Sequence, residues 1–78
     1  MEAKDQSLLN IGKVLSIRGS VIDVKFKNKL PPIFSLLKGK NGKISIEILS
    51  HLSSDSVRGI ALTPTQGLSR GDDIEDTE

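Results

Sequence analysis

Apolar and polar residues alternate one for one in two stretches of this chain, and that period of two limits the fold more than any other feature. Ile22, Val24 and Phe26 interleave with Asp23, Lys25 and Lys27, and Ile44, Ile46 and Ile48 interleave with Ser45 and Glu47. Side chains of a strand point to opposite faces in turn, so each run buries one face and wets the other. The β-branched residues that dominate both runs favour a pleated, half-buried surface over a helix. Weaker strands are expected at Gly12 to Ile17, at Val57 to Leu62 and near Ile74.

Chain-turning residues separate these runs. Gly19 after Arg18 suits a tight turn or bulge, because glycine reaches positive φ without steric cost. Gly39-Lys40-Asn41-Gly42 reads as a second turn, feeding a strand from Lys43 to Leu49. Pro31 and Pro32 have no N–H for a sheet ladder, and each disfavours helix in the residue before it, so Leu30 to Ile33 is a connection. Thr63-Pro64-Thr65-Gln66-Gly67 is another. Short strands at turn spacings, without a helical segment, predict an all-β fold, a small closed or nearly closed antiparallel barrel of five or six strands. Closure would remove the exposed edges that a short sheet otherwise leaves open.

With 78 residues there is room for one domain, and a chain of this size buries only about 60% of its unfolded surface. Residues 1–10 are expected to form a flexible lead-in and residues 11–78 the barrel. A composition of 36% hydrophobic and 27% charged residues, with net charge +1, belongs to soluble globular proteins. No cysteine is present, so no disulfide staples the fold. The start Met1-Glu2-Ala3-Lys4-Asp5-Gln6 has neither the basic nor the apolar part of a signal peptide. No apolar run approaches the roughly 20 residues of a membrane helix, and a cytosolic setting is expected, with any membrane association borrowed from partners.

Charge is uneven along the chain. Lys25, Lys27, Lys29, Lys38, Lys40 and Lys43 fill the middle, and Asp72, Asp73, Glu75, Asp76 and Glu78 crowd the end. The lysines read as solubilising residues on strands and loops, because an electrostatic footprint for nucleic acid usually makes the whole domain basic. Single-strand binding also needs exposed rings on which bases stack. Only Phe26 and Phe34 are aromatic, and Phe26 falls on an apolar strand face. A free-standing barrel that binds single-stranded nucleic acid is therefore the alternative rather than the leading reading.

Catalytic patterns are weak throughout. Gly39-Lys40-Asn41-Gly42-Lys43-Ile44 has glycines and a lysine, but its glycines are too close together for a phosphate-binding loop, and Ile44 stands where Ser or Thr would hold magnesium. His51 lies among Ser50, Ser53, Ser54 and Asp55. Sequence neighbours rarely supply triad geometry, so His51 is expected to serve a turn or an interface. One histidine without cysteine cannot supply the usual zinc ligands. Gly71-Asp72-Asp73 with Glu75 and Asp76 lacks the spacing of a calcium loop. No catalytic, cofactor-binding or metal-ligating residue is expected in this chain.

A series of short motifs, in order, carries a resemblance. They are Gly12, Val14 and Ile17; Val21-Ile22-Asp23-Val24 with Phe26; Leu30-Pro31-Pro32-Ile33; Glu47-Ile48 with His51-Leu52; Val57-Arg58 with Ile60-Ala61; Gly67-Leu68 with Arg70-Gly71; and Asp76-Thr77. Together they resemble the N-terminal β-barrel domain of the beta subunit of F-type ATP synthases. The Leu-Pro turn and His51-Leu52 favour beta over alpha. Arg18-Gly19-Ser20-Val21 and Arg58-Gly59-Ile60-Ala61-Leu62-Thr63-Pro64-Thr65 look more like the alternate bacterial enzymes, some of which are thought to move sodium. The sequence departs from the family at Ser50, usually glutamine, and at Ser53 and Glu78, both usually glycine.

The resemblance implies an assembly role. Such barrels, from alternating alpha and beta subunits, form a ring that holds the hexamer together during ATP synthesis or hydrolysis coupled to proton or sodium transport. Catalytic residues, ATP or ADP and magnesium would then belong to the parent protein beyond residue 78. The implied partners are alpha subunits, with no nucleic acid and only indirect contact with the membrane. The implied location is peripheral, on the cytoplasmic side of the bacterial inner membrane.

Overall fold

Alternation becomes curvature in the computed structural model, which describes residues 10–77. Six strands are present: β1 (Asn10–Arg18), β2 (Val21–Phe26), β3 (Leu36–Gly39), β4 (Ile44–His51), β5 (Ser56–Ala61) and β6 (Asp73–Asp76). All neighbours are antiparallel, and the order β1-β2-β5-β4-β3-β6 closes on itself as a barrel. The expected all-β barrel is thus observed, and the described residues contain no helix. The expected lead-in lies outside the described residues, except for Asn10, which opens β1.

Inward positions supply one core. Val14, Ile22, Val24, Phe26, Leu37, Ile44, Ile46, Ile48, Val57 and Ile74 are buried from the strands, and Leu68 joins them from the loop before β6. Large residues fit inside so small a barrel because some inward positions carry no side chain. A Cβ on Gly12 would lie 2.7 Å from Val24 Cγ1 and 2.8 Å from the carbonyl oxygen of Lys25, and one on Gly59 would lie 2.6 Å from Ile46 Cγ2.

Bulges turn two leucines outward. The β1–β2 register slips between Val14 and Ser16, and the β4–β5 register slips between Ile48 and Ser50. The extra residues, Leu15 and Leu49, are both exposed. A bulge adds local twist, which a short closed barrel needs in order to bend.

The strand ends define two ends of the barrel. At the upper end lie the Gly19-Ser20 turn, the turn over residues 40–43 and the loop over residues 62–72. At the lower end lie the loops over residues 27–35 and 52–55, together with the start of β1 and the end of β6.

Candidate functional site

The residues that looked most like chemistry from sequence are spent on structure. Lys40 and Asn41 adopt φ of 51° and 58°, and the Gly42 N–H donates to the Gly39 carbonyl at 3.0 Å. This glycine and lysine segment is the β3–β4 hairpin turn. His51 Nε2 pairs with the Pro31 carbonyl oxygen at 2.8 Å, tying β4 to the double-proline loop. Ser53 instead donates to Asp55 at 2.9 Å and shares a 2.7 Å bond with Ser56. The imagined Ser, His and Asp cluster therefore divides into two separate loop supports, with His51 at the end of β4.

Acids of the chain end meet lysines from elsewhere. Lys13 pairs with Asp73 and Lys40 with Asp72. The Ser69 N–H, and after it the Lys40 ammonium, hold the Asp72 carboxyl below its ordinary pKa. These pairs border an open recess of about 810 Å³ beside the upper end, lined by Lys13, Lys40, Asn41, Asp72, Asp73 and Glu75 among others. Its walls carry both signs of charge, four of them in the two ion pairs just named. Among the described residues, no three His, Asp or Glu side chains are grouped to hold a metal ion.

One polar cluster on the outer wall was not legible from sequence. Asp23 on β2 faces Arg58 on β5 in the strand register, and the guanidinium binds the carboxylate with Nε and Nη2 at 2.9 and 3.0 Å. Ser16 on β1 adds a third bond at 3.1 Å. Asp23 is buried although it points away from the core. The Arg58 hydrogen bonds pull its pKa below the ordinary carboxylate value, against the opposing effect of burial. The two-point fork fixes the angle between guanidinium and carboxylate as well as their distance. Three adjacent strands are clamped across the wall of the barrel.

Apolar surface gathers at the lower end. Ile33, Phe34, Leu36, Leu49 and Leu52 are all exposed, Phe34 to 72%. Phe34 also has φ of 74°, where a bulky residue is a genuine outlier. Its N–H donates to the Ile48 carbonyl at 2.8 Å, the Ser35 N–H to Pro32 at 3.1 Å and the Ile48 N–H back to Ser35 at 3.0 Å. Phe26, the other aromatic residue, is in the core as its alternation predicted.

Fold and surface together define a small closed β-barrel module with two lysine–aspartate pairs beside its upper end and exposed apolar residues at its lower end. Residues 14–78 match the family model described as "ATP synthase alpha/beta family, beta-barrel domain". This chain belongs to the ATP synthase alpha/beta family. Among its relatives, it is 58% identical to "ATP synthase subunit beta 1" of Marinomonas sp. (strain MWYL1), over 87% of the chain and 15% of that protein. It is 48% identical to "ATP synthase subunit beta 2" of Albidiferax ferrireducens, over 94% of the chain and 14% of the relative. A third relative, "ATP synthase subunit beta 2" of Nitrosospira multiformis, is 56% identical over 88% of the chain and 15% of its own length. The chain thus spans only about 15% of the length of these relatives.

Proposed function

We propose that this chain is the N-terminal assembly domain of the catalytic beta subunit of a rotary ATP synthase. In this reading the barrels of alternating alpha and beta subunits form a crown that keeps the hexamer closed while the nucleotide-binding parts move. The observation that carries it is the match of residues 14–78 to the barrel domain of this family, with beta subunits as relatives. Closure supports it physically, because a barrel without a free edge keeps its shape under load better than an open sheet of the same size. The wall clamp of Ser16, Asp23 and Arg58 adds stiffness in the same sense.

The chemistry of the enzyme is assigned to the rest of the subunit. ATP or ADP and magnesium bind there, and residues 11–78 supply no catalytic, cofactor or metal-binding group. Alpha subunits of the same complex are the partners, and the membrane is reached only through that complex, at the cytoplasmic face of a bacterial inner membrane. The alternate bacterial subgroup is part of this reading on the strength of Arg18-Gly19-Ser20-Val21 and the segment from Arg58 to Thr65. The coupling ion, proton or sodium, is chosen by the membrane subunits. Titration of this chain with magnesium-ATP tests the division of labour: no saturable binding is expected, and tight binding would contradict it.

A further inference from the structure

The upper end holds a side-chain amide that can react with its own backbone. Of the three asparagines in the chain, Asn10 is buried and precedes Ile11, Asn28 is exposed and precedes Lys29, and Asn41 is exposed and precedes Gly42. An asparagine closes into a ring when the nitrogen of the next residue reaches its Cγ, and a side chain on that next residue obstructs the approach. Gly42 has none, and a Cβ added there would meet nothing within 4 Å, so the freedom and the room for a five-membered ring are both present. Asn41 and Gly42 stand at φ of 58° and 88° on the exposed β3–β4 turn.

Two backbone bonds hold this turn, from the Gly42 N–H to the Gly39 carbonyl at 3.0 Å and from the Lys43 N–H to the Lys40 carbonyl at 3.1 Å. Residues 40–43 are all exposed, and bonds in such a loop open locally without unfolding the core. Opening of the first frees the Gly42 nitrogen to attack. That nitrogen must also lose its proton, and the cations of Lys40 and Lys43 on either side favour the anion that results. Lys43 has no ion pair among the described residues to offset this. We propose that Asn41 is a site of spontaneous deamidation in the folded chain. The Gly42 nitrogen bonds to Asn41 Cγ, the Cγ–Nδ2 bond breaks, and ammonia leaves with the proton of the Gly42 amide. Water then opens the cyclic imide at either carbonyl and gives aspartate or isoaspartate, with no oxidant or cofactor. Asn41 lines the recess in which Lys13, Lys38 and Lys40 balance Asp72, Asp73 and Glu75. The new carboxylate leaves that balance negative, next in sequence to the lysine that pairs with Asp72. Isoaspartate also routes the backbone through an extra carbon, so the product changes the path of the turn as well as its charge.

Timed incubation of the complete protein at mildly alkaline pH, followed by proteolysis and mass spectrometry, tests the proposal. Asn28 serves as the exposed reference within the same molecule, and a peptide of residues 36–47 as the unfolded reference. The mass gain of deamidation is expected at position 41 at least about tenfold faster than at position 28, because glycine alone leaves the attacking nitrogen unobstructed. The product is expected to contain isoaspartate, and the rate to stay flat in urea too dilute to unfold the core. Conversion of the peptide while Asn41 of the protein reacts no faster than Asn28 overturns the proposal, since the folded turn then protects the amide. Aspartate without isoaspartate overturns the ring-closing route. A rate that rises in dilute urea with the globally unfolded fraction also overturns it and assigns the reaction to the unfolded chain.

Discussion

The two ends of this barrel are built from the same strands but are finished differently. At the upper end two lysine–aspartate pairs form within the chain, Lys13 with Asp73 and Lys40 with Asp72, and the tight turns place Gly19, Lys40, Asn41 and Gly42 at positive φ. At the lower end a phenylalanine occupies the left-handed region, and Ile33, Leu36, Leu49 and Leu52 are exposed at the same end. The contrast teaches where selection for folding ends and selection for contact begins. A solitary barrel gains nothing from a strained, exposed Phe34, whereas one that rests on another surface does.

The contrast assumes one rigid body, and the largest expected effect checks that assumption. Ile46 is fully buried at the centre of β4, within the core that both ends share. Ile46→Ala should cost about 2–5 kcal/mol through lost burial and the cavity left behind. Hydrogen exchange should rise together at Ile44 and Ile48, and separate loss at the two ends would break the comparison. Gly59→Val should be similarly severe, because its first added carbon already meets Ile46 Cγ2 at 2.6 Å.

Next in size is the wall clamp, which both ends need. Asp23→Asn removes the charge from a buried carboxylate that accepts from Arg58 and Ser16, and a hydrogen bond to a charged group is worth about 1.5–3 kcal/mol. The folded-state pKa of Asp23 is lowered. Its contribution is therefore fully present above the unfolded value, about pH 4, and is lost as pH falls through the lower folded value. Thermal melts from neutral to strongly acid pH should fall more steeply below about pH 4 in the parent than in Asp23→Asn. Equal slopes would remove the clamp from the account.

Phe34→Gly sharpens the comparison directly. Glycine relieves the left-handed strain, so the isolated chain should gain about 1 kcal/mol in urea titration, while Asn41→Gly, at φ of 58°, should change little. Destabilisation by Phe34→Gly would show that the ring already packs within the barrel. Smallest of all should be Lys40→Ala. Its partner Asp72 is reached across an exposed surface, so melting should shift within error at moderate salt. A large shift would mean that the upper end depends on its charges.

Much of this was legible in the sequence, and the failures share a cause. Alternation at Ile22 to Phe26 and at Ile44 to Ile48 marked β2 and β4, and Gly39 to Gly42 marked the hairpin turn. β3 was missed because only Leu37 of its large residues faces inward while Leu36 faces out, leaving no periodicity in four residues. Asp23 read as an ordinary wet position on β2, since Arg58, 35 residues away, reaches it only through strand pairing. His51 was expected to serve a turn or an interface; it ends β4 and braces the neighbouring loop, and its partner at Pro31 was not anticipated. Phe34 gave little local sign either, because the turn from Pro32 to Ser35 that holds it is bonded to Ile48 on the neighbouring strand β4. Local pattern reports what one strand does alone, and long-range pairing decides the rest.

Assembly with and without the barrel tests the central claim most directly. The complete beta-type subunit, and the same subunit lacking residues 10–77, would each be mixed with its alpha subunit and weighed by native mass spectrometry. The account expects an alternating hexamer from the complete subunit and only separate subunits or small oligomers from the shortened one. A hexamer of equal yield and equal salt resistance from both would show that the barrel does not hold the ring together.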